Sequence, residues 1–249
     1  MRHLTRLDHG LVLVDDLTAA RDAYARLGFV LSSRGDHGAE MGTANHTVMF
    51  DDTYLELLLV VNPTPFNSEF QQAPKGLIAV ALHADDADAA VAEVREAGVT
   101  ATDPFTVSRD VLLPDGSKAE VTFRTSIFDQ VGRSPLRLFC SQSLTPQHVW
   151  TPPMMAHPNT AHTIQRIGVV TDGKDLGLSE VFGDIPIVAL DPDDYTAADR
   201  VVVTLTVRDI AQAKDLLLDS QVRLRETDNG IVVPPEEACG VTLELTERP

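Results

Sequence analysis

Two stretches of the chain, residues 11–30 and 81–100, share one pattern at a shift of 70 residues. Each has a short apolar run, a pair of aspartates, small and apolar residues at helical spacing, and then a glycine. An aspartate before such a run accepts backbone N–H bonds as a helix N-cap, and a glycine ends the helix where φ is positive. Each copy therefore predicts a strand followed by an amphipathic helix, and the chain is expected to consist of repeated units.

Two further copies lie in the second half of the chain. Residues 201–222 repeat the pattern with Gln221 in the place of the final glycine. Residues 164–183 are a weaker copy, because internal glycines disfavour a long helix there. Strand-like runs of alternating or β-branched residues follow the complete helices. The repeated unit is therefore predicted to be βαβββ.

These units predict two lobes. Two complete units fill residues 4–143, and a degenerate unit with a complete one fills 162–249. The segment 144–161 between them is rich in proline, which removes hydrogen-bond donors and breaks elements, and is predicted to be a linker. We expect an α+β fold whose two lobes each contain a pair of units; the family resemblance described below implies that the pairs form cupped open barrels. Because the degenerate unit leaves sheet edges bare and such edges invite pairing, a homodimer is also expected.

Composition excludes several classes of partner. The formal net charge of −17 argues against nucleic acid, which needs a basic surface. No apolar run approaches the roughly 20 residues of a membrane span, and the first six residues contain no signal-peptide core. The two cysteines form no disulfide framework. A cytoplasmic protein that binds a small molecule, away from membranes, is the expectation.

A series of short motifs runs through the first two thirds of the chain. They are Leu7-Asp8-His9, Gly35-Asp36-His37, Gly42-Thr43-Ala44-Asn45, Tyr54-Leu55-Glu56-Leu57, Leu138-Phe139-Cys140, Thr145-Pro146 with Val149-Trp150, and His157-Pro158-Asn159. In this order, and on tandem βαβββ units, they resemble the vicinal oxygen chelate superfamily and its glyoxalase-like domain family. The resemblance covers residues 7–183 and implies a cupped sheet around a small-molecule site.

The resemblance also implies a metal centre. In the superfamily, ligands project inward from the first and last strands of a unit, and these positions match His9 and Glu56. An imidazole and a carboxylate suit a divalent ion such as Zn, Fe, Mn or Ni that keeps open positions for substrate oxygens. His37 would complete a set of two histidines and one carboxylate, with Glu56 and His37 also as catalytic groups. The implied activity is that of a lyase, isomerase or dioxygenase.

The contacts to the substrate are assigned to three further side chains. Asn45 and Tyr54 lie in the motifs that carry the resemblance, and Arg137 is a cation within an apolar strand. Each has a structural alternative: Asn45 can hold a loop, and Arg137 can pair with a carboxylate. Cys140 has no base at a recognisable spacing and is interpreted as a packed strand cysteine.

The second unit departs from the superfamily pattern. Ala79 stands where the shift of 70 residues places the counterpart of His9, and residues 136–140 contain no acid. Glu244 echoes Glu56, but its own unit offers no histidine on the first strand. The usual four ligands are thus reduced to two clear ones. Two interpretations stay open: a metal-dependent enzyme, and a metal-free protein that binds or sequesters a small molecule, as bleomycin-resistance relatives do.

Overall fold

The computed structural model describes residues 1–247, which form two mixed sheets with short helices against them. The first sheet contains β1 (Leu4–Leu13), β2 (Gly35–Asp36), β3 (Thr43–Met49), β4 (Tyr54–Val60), β5 (Gly76–Ala84), β6 (Phe105–Leu112), β7 (Lys118–Ile127) and β8 (Arg137–Ser143). The second contains β9 (Ala161–Val170), β10 (Ile187–Leu190), β11 (Val201–Val207), β12 (Arg225–Thr227), β13 (Gly230–Val233) and β14 (Thr242–Glu247). The helices are α1 (Leu17–Arg26), α2 (Gly38–Met41), α3 (Ala87–Glu96), α4 (Pro146–Val149), α5 (Ser179–Phe182) and α6 (Ile210–Asp219).

The three long helices begin as the repeat predicts. Asp16, Asp86 and Asp209 each accept a backbone N–H bond at the first turn of α1, α3 and α6. Gly28 and Gly98 follow α1 and α3 with positive φ. Gln221 takes the same left-handed conformation after α6, at φ 56°, although it has a side chain.

The first sheet has the strand order β2-β3-β4-β1-β5-β8-β7-β6. The first strands of its two units, β1 and β5, are antiparallel at the centre, and each is parallel to the last strand of its own unit, β4 or β8. The two edges approach each other, with β6 next to β2, so the sheet curls into a nearly closed barrel. The predicted fold class of cupped βαβββ pairs is confirmed.

The second sheet is smaller, with the order β10-β9-β11-β14-β13-β12. Its first unit is reduced to β9, α5 and β10, as the weak copy of the repeat predicts. Buried apolar side chains of both sheets belong to one core cluster, so the two lobes pack against each other. The lobe boundaries and the homodimer stay predictions, the latter testable by light scattering.

The proline-rich segment between the sheets packs on the first lobe. It contains α4 and a 3₁₀ turn at Pro152–Met154. His157 accepts a bond from the backbone N–H of Val30 at 3.0 Å and donates to the Met49 carbonyl oxygen at 2.8 Å. The segment thus covers one side of the first barrel. No helix among the described residues is long and apolar enough to cross a bilayer.

Candidate functional site

The concave side of the first sheet encloses a cavity of about 340 Å³, which we call the cup. Its walls are largely apolar and aromatic, and residues of the segment 144–161 close part of it. All six side chains to which the sequence assigned a site role line it, namely His9, His37, Asn45, Tyr54, Glu56 and Arg137. The fold therefore brings them together, although the outermost two, His9 and Arg137, are 128 positions apart in sequence (137 − 9).

His9 is oriented by the residue before it. A β-bulge at Asp8 in the pairing of β1 with β5 lets the Asp8 carboxylate reach His9, with Oδ1 2.6 Å from Nδ1. Because the carboxylate accepts, the proton lies on Nδ1, and Nε2 presents a lone pair to the cup. The Tyr54 ring stacks on the imidazole with centroids 4.1 Å apart.

Asp8 is a buried anion held by two imidazoles. Its second oxygen accepts a bond from His83 Nδ1 at 3.2 Å. Although burial opposes ionisation, the hydrogen bonds and charges of His83 and His9 hold the pKa of Asp8 below its usual value. His83 thus supports the cup from behind instead of lining it.

Tyr54 supplies the neighbouring hydroxyl. Burial, together with the charges of Asp8 and Glu56, raises the pKa of Tyr54 well above its ordinary value. The phenol therefore keeps its proton, and its oxygen lies 3.4 Å from His9 Nε2, where it can donate.

Glu56 is buried with few partners. Glu56 is 8% exposed, and its Oε1 atom accepts one hydrogen bond, from Asn45 Nδ2 at 2.7 Å. His37 Nε2 lies 3.6 Å from Oε1, and His9 Nε2 lies 3.7 Å from Oε2. Both distances exceed those of a hydrogen bond. A buried carboxylate with one bond is under-solvated, so it is poised to accept a further donor or a cation.

His37 is neutral in this environment. Burial lowers its pKa; the Glu56 charge opposes this shift and the Arg109 charge adds to it. The Asn45 amide nitrogen lies 3.2 Å from Nε2, and Nδ1 lies 2.8 Å from the Thr43 hydroxyl oxygen. Since the amide donates, Nε2 is the acceptor and Nδ1 carries the proton.

The three candidate metal ligands do not form a three-donor set. His37 and His9 lie on opposite oxygens of the Glu56 carboxylate. Across residues 1–247, no group of three or more His, Cys, Asp or Glu side chains is arranged to hold a metal ion. His9 Nε2 and Glu56 Oε2 remain as a pair. Their separation of 3.7 Å fits two ligands that are each roughly 2.0–2.2 Å from one ion.

Two functional candidates lie outside the residues singled out in the sequence. Asp8 orients His9, and the feature of the sequence that could have identified Asp8 is its place in the Leu7-Asp8-His9 motif. Arg109 extends from β6 into the cup, and its signal was the alternation of that strand, in which Val107 and Val111 share its inward face. Arg137, by contrast, pairs with Glu69 at the wall of the cup.

The second sheet contains a counterpart of this site with its polar groups paired. Thr242 pairs with Val202 as Tyr54 pairs with His9, so Val202 takes the position of the histidine. The carboxylate of Glu244 accepts bonds from Thr204 at 2.8 Å, Tyr195 at 3.0 Å and Arg166 at 3.2 Å. The echo of Glu56 in the sequence is therefore a side chain whose oxygens are already occupied.

Comparisons with known proteins agree with this architecture. The family model described as "Glyoxalase-like domain" matches residues 7–178. A solved structure of a hypothetical protein from Staphylococcus aureus has a TM-score of 0.65 at 12% identity, over 96% of this chain and 99% of that chain. A mutant of 4-hydroxymandelate synthase from Streptomyces coelicolor also has a TM-score of 0.65 at 12% identity, over 99% and 94%. At these identities the likeness shows the fold alone. No curated protein matches the chain.

Proposed function

Because the chain belongs to the glyoxalase-like domain family of the vicinal oxygen chelate superfamily, we propose that its cup binds a small oxygenated organic molecule. The observation that carries the proposal is the cavity of about 340 Å³, on whose largely apolar wall five polar side chains lie close together. They are His9, His37, Asn45, Tyr54 and Glu56, and we call this group the polar end of the cup. Ligand sites in proteins have this form: apolar walls supply affinity, and a few polar groups fix orientation.

The polar end suits a hydroxyl, enol or carbonyl oxygen. Glu56 has capacity for a further hydrogen bond, and His9 Nε2 presents a lone pair fixed by Asp8. A ligand hydroxyl between them would donate to either group, and Tyr54 would donate to a ligand oxygen. A carboxylate in such an apolar chamber can also take a proton from a bound molecule, which makes Glu56 the candidate general base.

A second candidate function is a divalent-metal-dependent lyase, isomerase or dioxygenase. It is favoured by the Asp8–His9 bond of 2.6 Å, because a histidine that binds a metal commonly donates its other N–H to a carboxylate. His9 and Glu56 would hold the ion, and a bound ion would polarise a substrate oxygen. His37, on the other carboxylate oxygen, would instead keep Asn45 in place.

Metal content separates the two candidates. If the cup binds its ligand without a metal, protein purified without chelator should contain far less than one equivalent of Zn, Fe, Mn or Ni by mass spectrometry. The His9→Ala variant should contain equally little. One equivalent in the wild type, retained in a control His162→Ala outside the cup and lost in His9→Ala, would instead establish the metal enzyme.

Binding itself needs a separate test. A library of small oxygenated fragments, followed by protein-observed NMR, should give shifts that cluster on residues of the cup. Ala79 is fully buried against Leu11 and Leu58 at the cup wall, so Ala79→Leu should reduce the volume and weaken binding. Shifts that cluster elsewhere, or affinities unchanged by Ala79→Leu, would contradict the proposal.

A further inference from the structure

Arg109 is a charged side chain on the inner face of the cup. It lies on β6, where Phe105, Val107 and Val111 share its alternation face and also line the cup. The intervening side chains of this strand point outward and are exposed. An arginine is unusual in a row of inward apolar residues, and this one is half-buried, so its side chain lies at the cup wall and keeps part of its contact with water.

The neighbouring backbone is shaped to admit this guanidinium. Gly35 on β2 faces it across the seam of the barrel, and a Cβ at Gly35 would lie 2.5 Å from Arg109 Nη1 and 2.7 Å from Asn45 Oδ1. Any side chain at position 35 would therefore displace the guanidinium or the amide. The glycine lets both groups approach the polar end of the cup.

Neither the Arg109 guanidinium nor the oxygen of the Asn45 amide has a partner among the described residues. Within residues 1–247, the Arg109 side chain has no ion pair and no hydrogen bond, whereas the cup's other arginine, Arg137, pairs with Glu69. The Asn45 Oδ1 atom is buried and also has no hydrogen-bond partner among the described residues. A guanidinium has five N–H donors, and because no group among the described residues accepts from those of Arg109, they are available to a ligand in the cup.

The charge balance of the cup indicates the sign of that ligand. Although the whole chain has a net charge of −17, the cup is lined by two guanidinium groups and, among the described residues, by one carboxylate, Glu56. Arg137 pairs with Glu69, whereas Arg109 and Glu56 have no ion pair with a charged lysine, arginine or carboxylate side chain among the described residues. The cup therefore offers two unpaired charges of opposite sign, and the group of a ligand that lies against Arg109 should be an anion.

The shape of the guanidinium and the apolar walls of the cup indicate the chemical class of the ligand. Its planar fork matches the two oxygens of a carboxylate. Around it the cup presents aromatic and aliphatic side chains, which suit an apolar body; they include Phe70, Phe105, Phe123, Phe139 and Leu58. Building on the function proposed above, we infer that the ligand is an organic carboxylate with an aromatic or aliphatic body, whose carboxylate accepts hydrogen bonds from Arg109 and whose separate hydroxyl group donates to Glu56 or His9.

Matched pairs of probes test this inference. The pairs are benzoate and benzamide, phenylacetate and phenylacetamide, and 2-naphthoate and 2-naphthamide, which differ in charge but hardly in size. Dissociation constants come from protein-observed NMR titrations at constant ionic strength. The wild type should prefer the acid in a pair by roughly 10- to 100-fold, the range expected for charge-assisted hydrogen bonds.

Variants assign the preference to one side chain. Arg109→Gln should remove the preference for the acid, because the affinity for the carboxylate probe falls while the affinity for the amide stays constant. Arg109→Lys should retain only part of the preference. Arg124→Gln is the matched control, because Arg124 lies on the adjacent β7, pairs with Asp88 and does not line the cup. It should keep the full preference.

The outcomes also separate this inference from the function on which it depends. Equal binding of acids and amides, or equal loss of both in Arg109→Gln, would overturn the role of Arg109 and leave a cup that binds small molecules. Binding of neither member of any pair to the wild type would overturn both proposals.

Discussion

The two carboxylates Glu56 and Glu244 occupy equivalent places in the two lobes, and the same change to glutamine should affect them in different ways. Glu244 accepts hydrogen bonds from Thr204, Tyr195 and Arg166. Glutamine at this position turns an NH₂ group toward a donor and removes the charge that strengthens each bond. Charged hydrogen bonds contribute about 1.5–3 kcal/mol, but the Arg166 side chain is 40% exposed and its ion pair adds little. The expected loss in the free energy of unfolding is about 2–3 kcal/mol.

Glu56→Gln should cost almost nothing. The carboxylate has one hydrogen bond, from Asn45, and a glutamine oxygen can accept the same bond. The NH₂ group would face the lone pair of His9 Nε2, which now lies 3.7 Å from a carboxylate oxygen. Because the substitution also removes a buried charge, we expect a change within about 0.5 kcal/mol of zero, or a gain in stability.

Urea unfolding at pH 7, followed by far-UV circular dichroism, measures both effects. One core cluster includes both sheets, so a single transition is expected to report on each site. Exposed Glu40→Gln serves as the baseline. If Glu56→Gln destabilised the fold as much as Glu244→Gln, Glu56 would be a structural partner, and the argument that it is kept free for a ligand would fail.

Three further outcomes are expected. Burial depresses the pKa values of His37 and His157, so the folded state binds fewer protons than the unfolded state below pH ~6.5. The urea midpoint should therefore be constant from pH 8 to 7 and fall toward pH 5. A midpoint that rises on acidification would contradict this. Burial raises the pKa of Cys140 to about 11, so iodoacetamide at pH 8 should label it far more slowly in native protein than in urea; rapid native labelling would refute this. Asn159→Ala should lower the unfolding free energy by about 2–4 kcal/mol, because the buried amide makes two bonds to backbone groups, at 2.9 and 3.1 Å; an unchanged urea midpoint would contradict this.

Local signals in the sequence were enough for the overall fold. The aspartate caps and the terminal glycines mark where helices begin and end, and their common shift shows that the units repeat. Residues 29–32, one of the strand-like runs that follow a helix, form no strand in the structure. There the backbone N–H of Val30 bonds to the His157 side chain, so no strand ladder satisfies it. A partner 127 positions away leaves no local signal.

The resemblance to the superfamily implied that His9 and Glu56 both project inward, and both line the cup in the structure. Alternation alone puts Asp8 on the opposite face from His9, and only the bulge in β1 lets its carboxylate turn back to Nδ1. Arg109 was missed because a charge within a half-buried strand resembles a solvated position. Alternation does place Arg109 on the face of Val107 and Val111, but that this face lines the cup depends on closure of the barrel between β6 and β2, which the local pattern does not show.

The contrast between the lobes is the strongest argument for where function lies. In the second lobe, the Glu244 carboxylate already accepts three hydrogen bonds from side chains of its own lobe, which stabilise the fold and leave it little capacity for a ligand. In the first lobe, Asn45 Oδ1 has no partner among the described residues, Arg109 has none there either, and Glu56 has a single bond. The Asn45 oxygen is buried, and a buried acceptor without a partner destabilises the fold unless a bound molecule completes it. Three polar groups with unused hydrogen-bonding capacity on the wall of one cavity favour the first lobe as the ligand site.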